Sequence, residues 1–121
     1  MHKYILVIDD DAQIREIITF ALTRNGFDVE VASNGVHLQN LLEARLPDLV
    51  ILDVMMPGQD GYQLFYRLRN DSLTRHIPVI IMTAHAEDIY ARISLDLGAV
   101  HLTKPFHPFD LVEKVKALFS S

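Results

Sequence analysis

The spacing of the apolar residues changes repeatedly along this chain between a strand-like and a helix-like period. Short apolar runs or alternations, which are typical of strands, are each followed by apolar residues three and four positions apart, which are typical of one helix face. The predicted strands are residues 4–9, 28–32, 49–53, 79–83 and 100–103. Five strands that alternate with five helices predict an α/β fold with a parallel sheet, right-handed crossovers and helices on both faces.

Turn residues mark where the predicted helices begin and end. The first helix ends at Asn25-Gly26, where a glycine suits a left-handed cap, and Pro47 ends the second. The apolar faces of the five helices are Ile14, Ile17, Ile18, Ala21 and Leu22; Leu38, Leu41 and Leu42; Gly61, Leu64, Phe65 and Leu68; Ala86, Ile89, Tyr90, Ile93 and Leu97; and Leu111, Val112, Val115, Leu118 and Phe119. We interpret Gly26, Gly35, Gly61 and Gly98 as turn and cap residues.

The composition of each predicted strand indicates its place in the sheet. The first, third and fourth strands are continuously apolar, as expected for strands covered on both faces, whereas the second alternates and the fifth is short and mixed, as edge strands can be. The pattern favours strand order 2-1-3-4-5, that of a doubly wound, flavodoxin-like three-layer sandwich. In that order a functional crevice is expected beyond the carboxyl ends of the first and third strands.

Length and composition exclude several classes of protein. The 121 residues are enough for one core, so residues 1–121 are expected to form a single domain. A net charge of -5 argues against nucleic-acid binding, and the absence of cysteine excludes a thiolate nucleophile and cysteine-ligated metals. No apolar run approaches the roughly 20 residues of a membrane helix, so a cytoplasmic protein without membrane contact is the default expectation.

Charged and polar side chains follow the predicted strands on the edge where the crevice is expected. Asp9, Asp10 and Asp11 close the first strand, Asp53 the third, Thr83 the fourth, and Lys104-Pro105 the fifth. Carboxylates that converge in this way repel one another, so either some are protonated or a divalent cation neutralises them. Oxygen ligands without cysteine or paired histidine favour Mg²⁺. A cation beside an aspartate, with a hydroxyl and an ammonium opposite, is suited to phosphoryl transfer onto that aspartate.

Four motifs at these strand ends resemble one family over essentially the whole chain. They are Ile8-Asp9-Asp10; Leu52-Asp53-Val54-Met55-Met56-Pro57 with Gly61; Thr83-Ala84; and Lys104-Pro105-Phe106. Each motif alone is weak, but all four in order resemble the receiver domain of two-component response regulators, which includes the chemotaxis regulator.

The resemblance implies a role for each site residue. Asp53 would be phosphorylated, and Mg²⁺ would be bound directly by Asp10, Asp53 and the backbone carbonyl of Met55, with Asp9 acting through water. Thr83 and Lys104 would contact the phosphoryl oxygens, and the peptide bond between Lys104 and Pro105 would be cis. Met55 and His85 align with positions that tune the lifetime of the aspartyl phosphate.

The resemblance also implies a signalling function rather than a metabolic enzyme. The phosphoryl donor would be a phosphohistidine of a sensor histidine kinase or a histidine phosphotransfer protein. Phosphorylation would shift a two-state equilibrium that changes the surface around the fourth helix and fifth strand, with only weak self-catalysed phosphorylation and hydrolysis. The effector or target protein is unknown, and no residue decides for or against a homodimer.

The segment before Lys104 departs from the family pattern. His101 stands where receivers usually carry Tyr or Phe, a residue that changes rotamer with phosphorylation, and the segment from Gly98 to His101 is one residue shorter than usual. One hypothesis is that His101 keeps the coupling role and, because histidine titrates near neutrality, makes the switch pH-sensitive. The alternative is an exposed histidine on an edge strand with no switching role.

Several site residues also have plainer interpretations. Asp11 is better explained as the N-cap of the first helix than as a metal ligand. Thr83 could be an ordinary strand residue, Lys104 a surface lysine and Pro105 a strand terminator.

Two other functional classes remain open. A haloacid-dehalogenase-like phosphatase would use Asp9 as its nucleophile and Asp11 as its acid, but Ala12-Gln13 fits that motif poorly and the chain is short for that fold. A flavodoxin-type module would bind FMN through a phosphate loop after the first strand, where this chain has three aspartates instead.

Overall fold

Five strands alternate with five helices in the computed structural model, which describes residues 2–55, 61–84 and 89–120. The strands are β1 (Tyr4–Ile8), β2 (Asp28–Ala32), β3 (Leu49–Asp53), β4 (Val79–Thr83) and β5 (Val100–Thr103). The helices are α1 (Ala12–Arg24), α2 (Gly35–Ala44), α3 (Gly61–Asn70), α4 (Ile89–Asp96) and α5 (Pro108–Ser120). Met56, Pro57, His85 and Ala86, which the sequence motifs and the predicted fourth helix include, lie outside the described residues. The predicted fold class is confirmed.

The sheet is parallel and its strand order is β2-β1-β3-β4-β5, as predicted from the composition of the strands. The register aligns the carboxyl ends: Ile8 pairs with Leu52, Asp53 with Met82, and Thr83 with Thr103. The residues that follow these pairs therefore meet at one edge of the sheet.

Each face of the sheet carries its own core. Alternate strand residues such as Leu6, Leu52 and Ile81 pack with the apolar faces of α2 and α3. The intervening residues, such as Val7, Ile51 and Met82, pack with the apolar faces of α1 and α5. The three layers follow from this alternation, because neighbouring residues of a strand point to opposite faces. In the described ranges, none of the helices has both the length and the apolar composition that a membrane span requires.

Strand β1 ends at Ile8, one residue before the predicted end at Asp9. The Asp9 N–H still donates to the Ala32 carbonyl at 3.2 Å, but the Asp9 carboxylate accepts from Asp11 N at 2.9 Å and turns the chain toward α1. The Asp11 side chain then accepts from Gln13 N, at 2.9 Å, and Ile14 N, at 3.5 Å. It is therefore the N-cap of α1, as expected.

Gly35 is the first residue of α2, with Asn34 as its N-cap, and Gly61 likewise is not the turn or cap residue that the sequence suggested. It is buried and is the first residue of α3, whereas Gly26 and Gly98 have the left-handed φ of a cap, 87° and 90°. A Cβ at position 61 would collide with the Val54 Cα and lie 2.7 Å from the Asp53 carbonyl oxygen. Glycine is needed here because α3 begins directly against the end of the strand that carries Asp53.

Candidate functional site

Four polar residues meet at the carboxyl edge of the sheet because parallel strands end there together. Asp9 follows β1, Asp53 and Thr83 are the last residues of β3 and β4, and Lys104 follows β5. Asp9, Asp53 and Thr83 are almost completely buried, with 0%, 2% and 1% of their surface exposed. Buried carboxylates are rare unless they are paired, so their partners define the site.

Lys104 is the partner of both buried carboxylates. Its Nζ lies 3.1 Å from Oδ2 of Asp9 and 3.3 Å from Oδ2 of Asp53. The lysine backbone is fixed as well, because Lys104 N donates to the Thr83 carbonyl at 2.9 Å. The peptide bond between Lys104 and Pro105 is cis. The edge strand β5 thus places the Lys104 ammonium group between the ends of the central strands β1 and β3.

Burial and crowding change the acid–base properties of this pair. Burial raises the pKa of Asp9, the Asp53 charge acts in the same direction, and the hydrogen bonds from Asp11 N and Lys104 offset only part of the effect. Burial alone would lower the pKa of Lys104, but its bond to Asp9 and the charges of Asp53 and Asp9 outweigh this, so the pKa is raised. The site holds more negative charge than one lysine neutralises.

Asp9 and Asp10 differ in how far their polar groups are already bonded. Oδ1 of Asp9 accepts from Asp11 N and its Oδ2 from Lys104, while its backbone carbonyl accepts from Arg15 Nη1 at 2.8 Å. Asp10 is exposed, and within the described part of the chain its carboxylate has no hydrogen bond or ion pair. Asp9 is therefore tied to protein groups, and Asp10 is available to an incoming ligand.

Three aspartates form a cluster that could hold a cation. One carboxylate oxygen from each of Asp9, Asp10 and Asp53, which we call the acid cluster, lies within 4.8 Å of the other two. The donor atoms are all oxygens, the ligand type that Mg²⁺ and Ca²⁺ prefer. The exposed Asp10 leaves one side of the cluster open to solvent, so an ion could enter and retain water ligands there.

The segment after β3 brings Met55 against the acid cluster. Met55 N donates to Oδ1 of Asp53 at 2.9 Å, and the Met55 side chain is 47% exposed. Val54 N donates to the Met82 carbonyl at 3.3 Å and extends the β3–β4 pairing by one residue. Both Asp53 carboxylate oxygens therefore have a donor, one from the backbone and one from Lys104.

His101 lies on β5, on the same face of the sheet as Thr83. It pairs with Ile81, two residues before Thr83 on the adjacent strand. Its side chain is half-buried and Nε2 lies 2.7 Å from Oγ of Ser94 on α4. The alternative of an exposed edge-strand histidine is wrong as to exposure, because α4 covers this face of β5, and the switching role of His101 stays a prediction.

Two residues that contact the site, Arg15 and Ser94, were not singled out by the sequence patterns. Helical side chains lean toward the N-terminus, so an arginine in the first turns of α1 reaches back over the turn at Asp9. Ser94 is a fully buried serine in α4, three residues after the buried Ala91. The sequence carries no signal for it, because the predicted apolar face of the fourth helix includes Ile93 and Leu97, which are 42% and 45% exposed, whereas Ala91 and Ser94 are the buried residues of α4 for which exposure is described.

Comparisons with known proteins agree with this architecture. Residues 5–116 match the family model of the response regulator receiver domain. The chain is 41% identical over 119 residues to the phosphate regulon transcriptional regulatory protein PhoB of Escherichia coli, covering 98% of this chain and 52% of PhoB. It is 39% identical over 119 residues to the alkaline phosphatase synthesis transcriptional regulatory protein PhoP of Bacillus subtilis, covering 98% of this chain and 49% of PhoP.

A solved structure gives the same result. The CheY-like response regulator receiver domain protein from Methanospirillum hungatei superposes with a TM-score of 0.89 at 28% identity, covering 99% of this chain and 95% of that one. The doubly wound sheet with an acid cluster and a lysine at its carboxyl edge agrees with a regulatory domain of this class. The chain belongs to the receiver domain family of two-component response regulators. It spans about half the length of the two curated relatives named above.

Proposed function

We propose that this domain is a phosphoacceptor switch in which Asp53 receives a phosphoryl group from a phosphohistidine of a sensor histidine kinase or a histidine phosphotransfer protein. The observation that carries the proposal is the pairing of Asp53 with Lys104, at 3.3 Å, inside an acid cluster in a member of the receiver family. An Asp53 oxygen forms a bond to phosphorus while the bond from phosphorus to the donor's ring nitrogen breaks. The imidazole keeps that electron pair and takes a proton from solvent.

The acid cluster would bind Mg²⁺ during this step. Asp10 and Asp53 would be direct ligands together with the backbone carbonyl of Met55, and Asp9 would act through water. The division between Asp9 and Asp10 is supported by their bonding, because Asp9 is held by Lys104 and Asp11 N whereas Asp10 is exposed. The cation, when bound, supplies positive charge next to the transferring phosphoryl oxygens.

Lys104 and Thr83 complete the arrangement in this proposal. Lys104 neutralises a phosphoryl oxygen, and its ammonium is already oriented by the two carboxylates at 3.1 and 3.3 Å. Thr83 supplies a hydroxyl at the end of the neighbouring strand, and its movement links phosphorylation to α4 and β5. His101 lies on the same face of the sheet and takes part in that coupling.

Residues 1–121 would act as a single receiver domain that controls an effector or a separate target protein. Its output is a change of shape at α4 and β5, and its own phosphorylation and hydrolysis are slow. A homodimer formed through the changed surface is one form that this output could take.

Mapping of the phosphorylated residue tests the proposal. With Mg²⁺ and a small phosphodonor such as acetyl phosphate, we expect label on Asp53, lost in Asp53→Asn and after removal of Mg²⁺. Asp9→Asn should still be labelled on Asp53. Asp96→Asn is a matched control, because Asp96 is an exposed aspartate on α4 rather than at the acid cluster. Label that persists in Asp53→Asn would contradict the proposal.

The same experiment distinguishes the alternative functions. Multiple turnovers that depend on Asp9 would indicate a haloacid-dehalogenase-like phosphatase. A yellow purified protein would indicate flavin.

A further inference from the structure

A hydrogen bond joins α4 to β5 on the face of the sheet that carries Thr83. Oγ of Ser94 lies 2.7 Å from Nε2 of His101 and 2.8 Å from the Ala91 carbonyl oxygen. Ser94 and Ala91 are completely buried. The residue at the family's coupling position is therefore linked to α4 through a serine that water does not reach.

The hydrogens of this bond can be assigned from its geometry. The Ser94 hydroxyl has one hydrogen, and the Ala91 carbonyl can only accept, so Ser94 donates to Ala91 and accepts from Nε2–H of His101. Neutral imidazole protonated on Nε2 and imidazolium both have that N–H. Both charge states of His101 can make the bond, so protonation does not by itself break it. The hypothesis of a pH-sensitive switch gains no support from this contact.

The bond restrains two elements that the proposed switch would move. His101 is three residues before Lys104 and pairs with Ile81, which is two residues before Thr83. A displacement of α4 along β5 would stretch the bond and leave the Ser94 hydroxyl without its second partner in a buried position. Ser94 would keep its bond to the Ala91 carbonyl, so the cost is that of one lost hydrogen bond, and the bond favours the arrangement seen here by that amount.

We propose that Ser94 is a positioning residue that holds His101 against α4 in the unphosphorylated protein and thereby opposes the phosphorylated conformation. The proposal rests on the proposed phosphoacceptor function. Because linkage is reciprocal, a bond present only in the resting state weakens the binding of any ligand that selects the other state. Removal of the bond should therefore strengthen the binding of a phosphoryl mimic.

Beryllium fluoride with excess Mg²⁺ is a suitable mimic, and calorimetric titration measures its affinity. We expect Ser94→Ala and His101→Phe each to bind it about five-fold more tightly than the wild type, the ratio that corresponds to one average net hydrogen bond. The double variant should bind no more tightly than either single variant, because both remove the same bond. His101→Gln keeps an N–H donor near Nε2 and should stay close to the wild type.

A matched control separates coupling from general stability. Thr74→Val also removes a buried hydroxyl that donates to a carbonyl, that of Leu68 at 2.7 Å, but it lies in the α3–β4 connection. It should lower the melting temperature and leave the beryllium fluoride affinity unchanged. If Ser94→Ala does not fold, His101→Phe tests the same bond from the other side.

The outcomes distinguish this inference from the function on which it rests. In one outcome the wild type binds beryllium fluoride while the folded variants Ser94→Ala and His101→Phe bind it with unchanged or weaker affinity. That result would overturn the role of Ser94 but not the phosphoacceptor proposal. Wild-type protein that binds no beryllium fluoride would overturn the phosphoacceptor proposal and this inference with it.

Discussion

The two halves of the carboxyl edge are built differently. At the ends of β1 and β3, Asp9 and Asp53 are almost completely buried and each of their carboxylate oxygens has a donor. In the edge half, which consists of α4, β5 and Lys104, the side chains of His101 and Lys104 are only half-buried, and Nε2 of His101 lies 2.7 Å from Oγ of Ser94 on α4. The first half is arranged to hold a fixed geometry, whereas the His101 and Lys104 side chains of the second are less deeply buried and suit a change of shape.

The largest expected effect comes from the fixed half. In Gly61→Ala the new methyl group would overlap the Val54 backbone, so α3 or the end of β3 must shift. We expect the free energy of unfolding to fall by about 3 kcal/mol, the upper end for overpacking. Chemical denaturation measures this loss.

Gly98→Ala is its control in the edge half. Gly98 also has no side chain, but a Cβ there meets no atom within 4 Å, and the cost comes only from its φ of +90°. The loss should be about 1–2 kcal/mol. Equal losses at both positions would show that close approach at Gly61 is not what requires glycine.

Lys104→Met removes the group that joins the two halves. It leaves Asp9 and Asp53 facing each other without the ammonium that lies 3.1 and 3.3 Å from them. We expect a loss of about 2 kcal/mol in the absence of divalent cations, less than for a fully buried ion pair because Lys104 is partly exposed. Thermal or chemical unfolding in chelator measures it.

A second substitution should rescue this variant. Asp9→Asn removes one of the two opposed charges and keeps an oxygen that can accept from Asp11 N. The double variant Lys104→Met/Asp9→Asn should regain most of the lost stability, because the two effects are coupled through the same charges. Strictly additive losses would argue that Lys104 acts through packing rather than charge.

The fixed half was also the more predictable from sequence. A continuously apolar strand followed by Asp9, or ending in Asp53, identifies a buried strand with acids at its carboxyl end, and strand order then brings the acids together. The same patterning predicted the bounds of the strands. Only β1 differs from its prediction, by one residue at its end. These features are predictable because they depend on local period and on topology.

The edge half depends on tertiary contacts that have no local signature. The bond between Ser94 and His101 needs the crossing of α4 over β5, which apolar period does not determine. Gly61 was misjudged for a related reason, since its requirement comes from the approach of α3 to the Val54 backbone and not from its own φ. Arg15 was missed because a hydrogen bond to the Asp9 carbonyl leaves no mark in the residue pattern.

Substitution of Arg69, which lies on α3, tests how the C-terminal end of α4 is held in place. Its Nε donates to the Leu97 carbonyl at 2.9 Å, just beyond α4, and its Nη1 donates to the Ile77 carbonyl at 2.7 Å. Arg69→Met should lower the free energy of unfolding by about 1.5 kcal/mol, because the carbonyls of the buried Ile77 and the exposed Leu97 lose a charged donor. Arg67→Met, two residues away and exposed, should change it by less than about 0.5 kcal/mol. Similar losses in both variants would indicate a helix propensity effect in α3 instead.

The smallest effect is expected at Asp11, which lies beside the acid cluster yet serves α1. Its side chain accepts from Gln13 N at 2.9 Å, so Asp11→Ala should cost about 1 kcal/mol through the lost cap. Asp11→Asn keeps the acceptor and should lose much less. Mg²⁺ affinity, measured by calorimetry, should change little in either variant, because Asp11 is not among the clustered ligands. If Asp11→Asn loses as much Mg²⁺ affinity as Asp10→Asn, the prediction is wrong. Asp11 would then be a metal ligand as well as a cap and would belong to the fixed half.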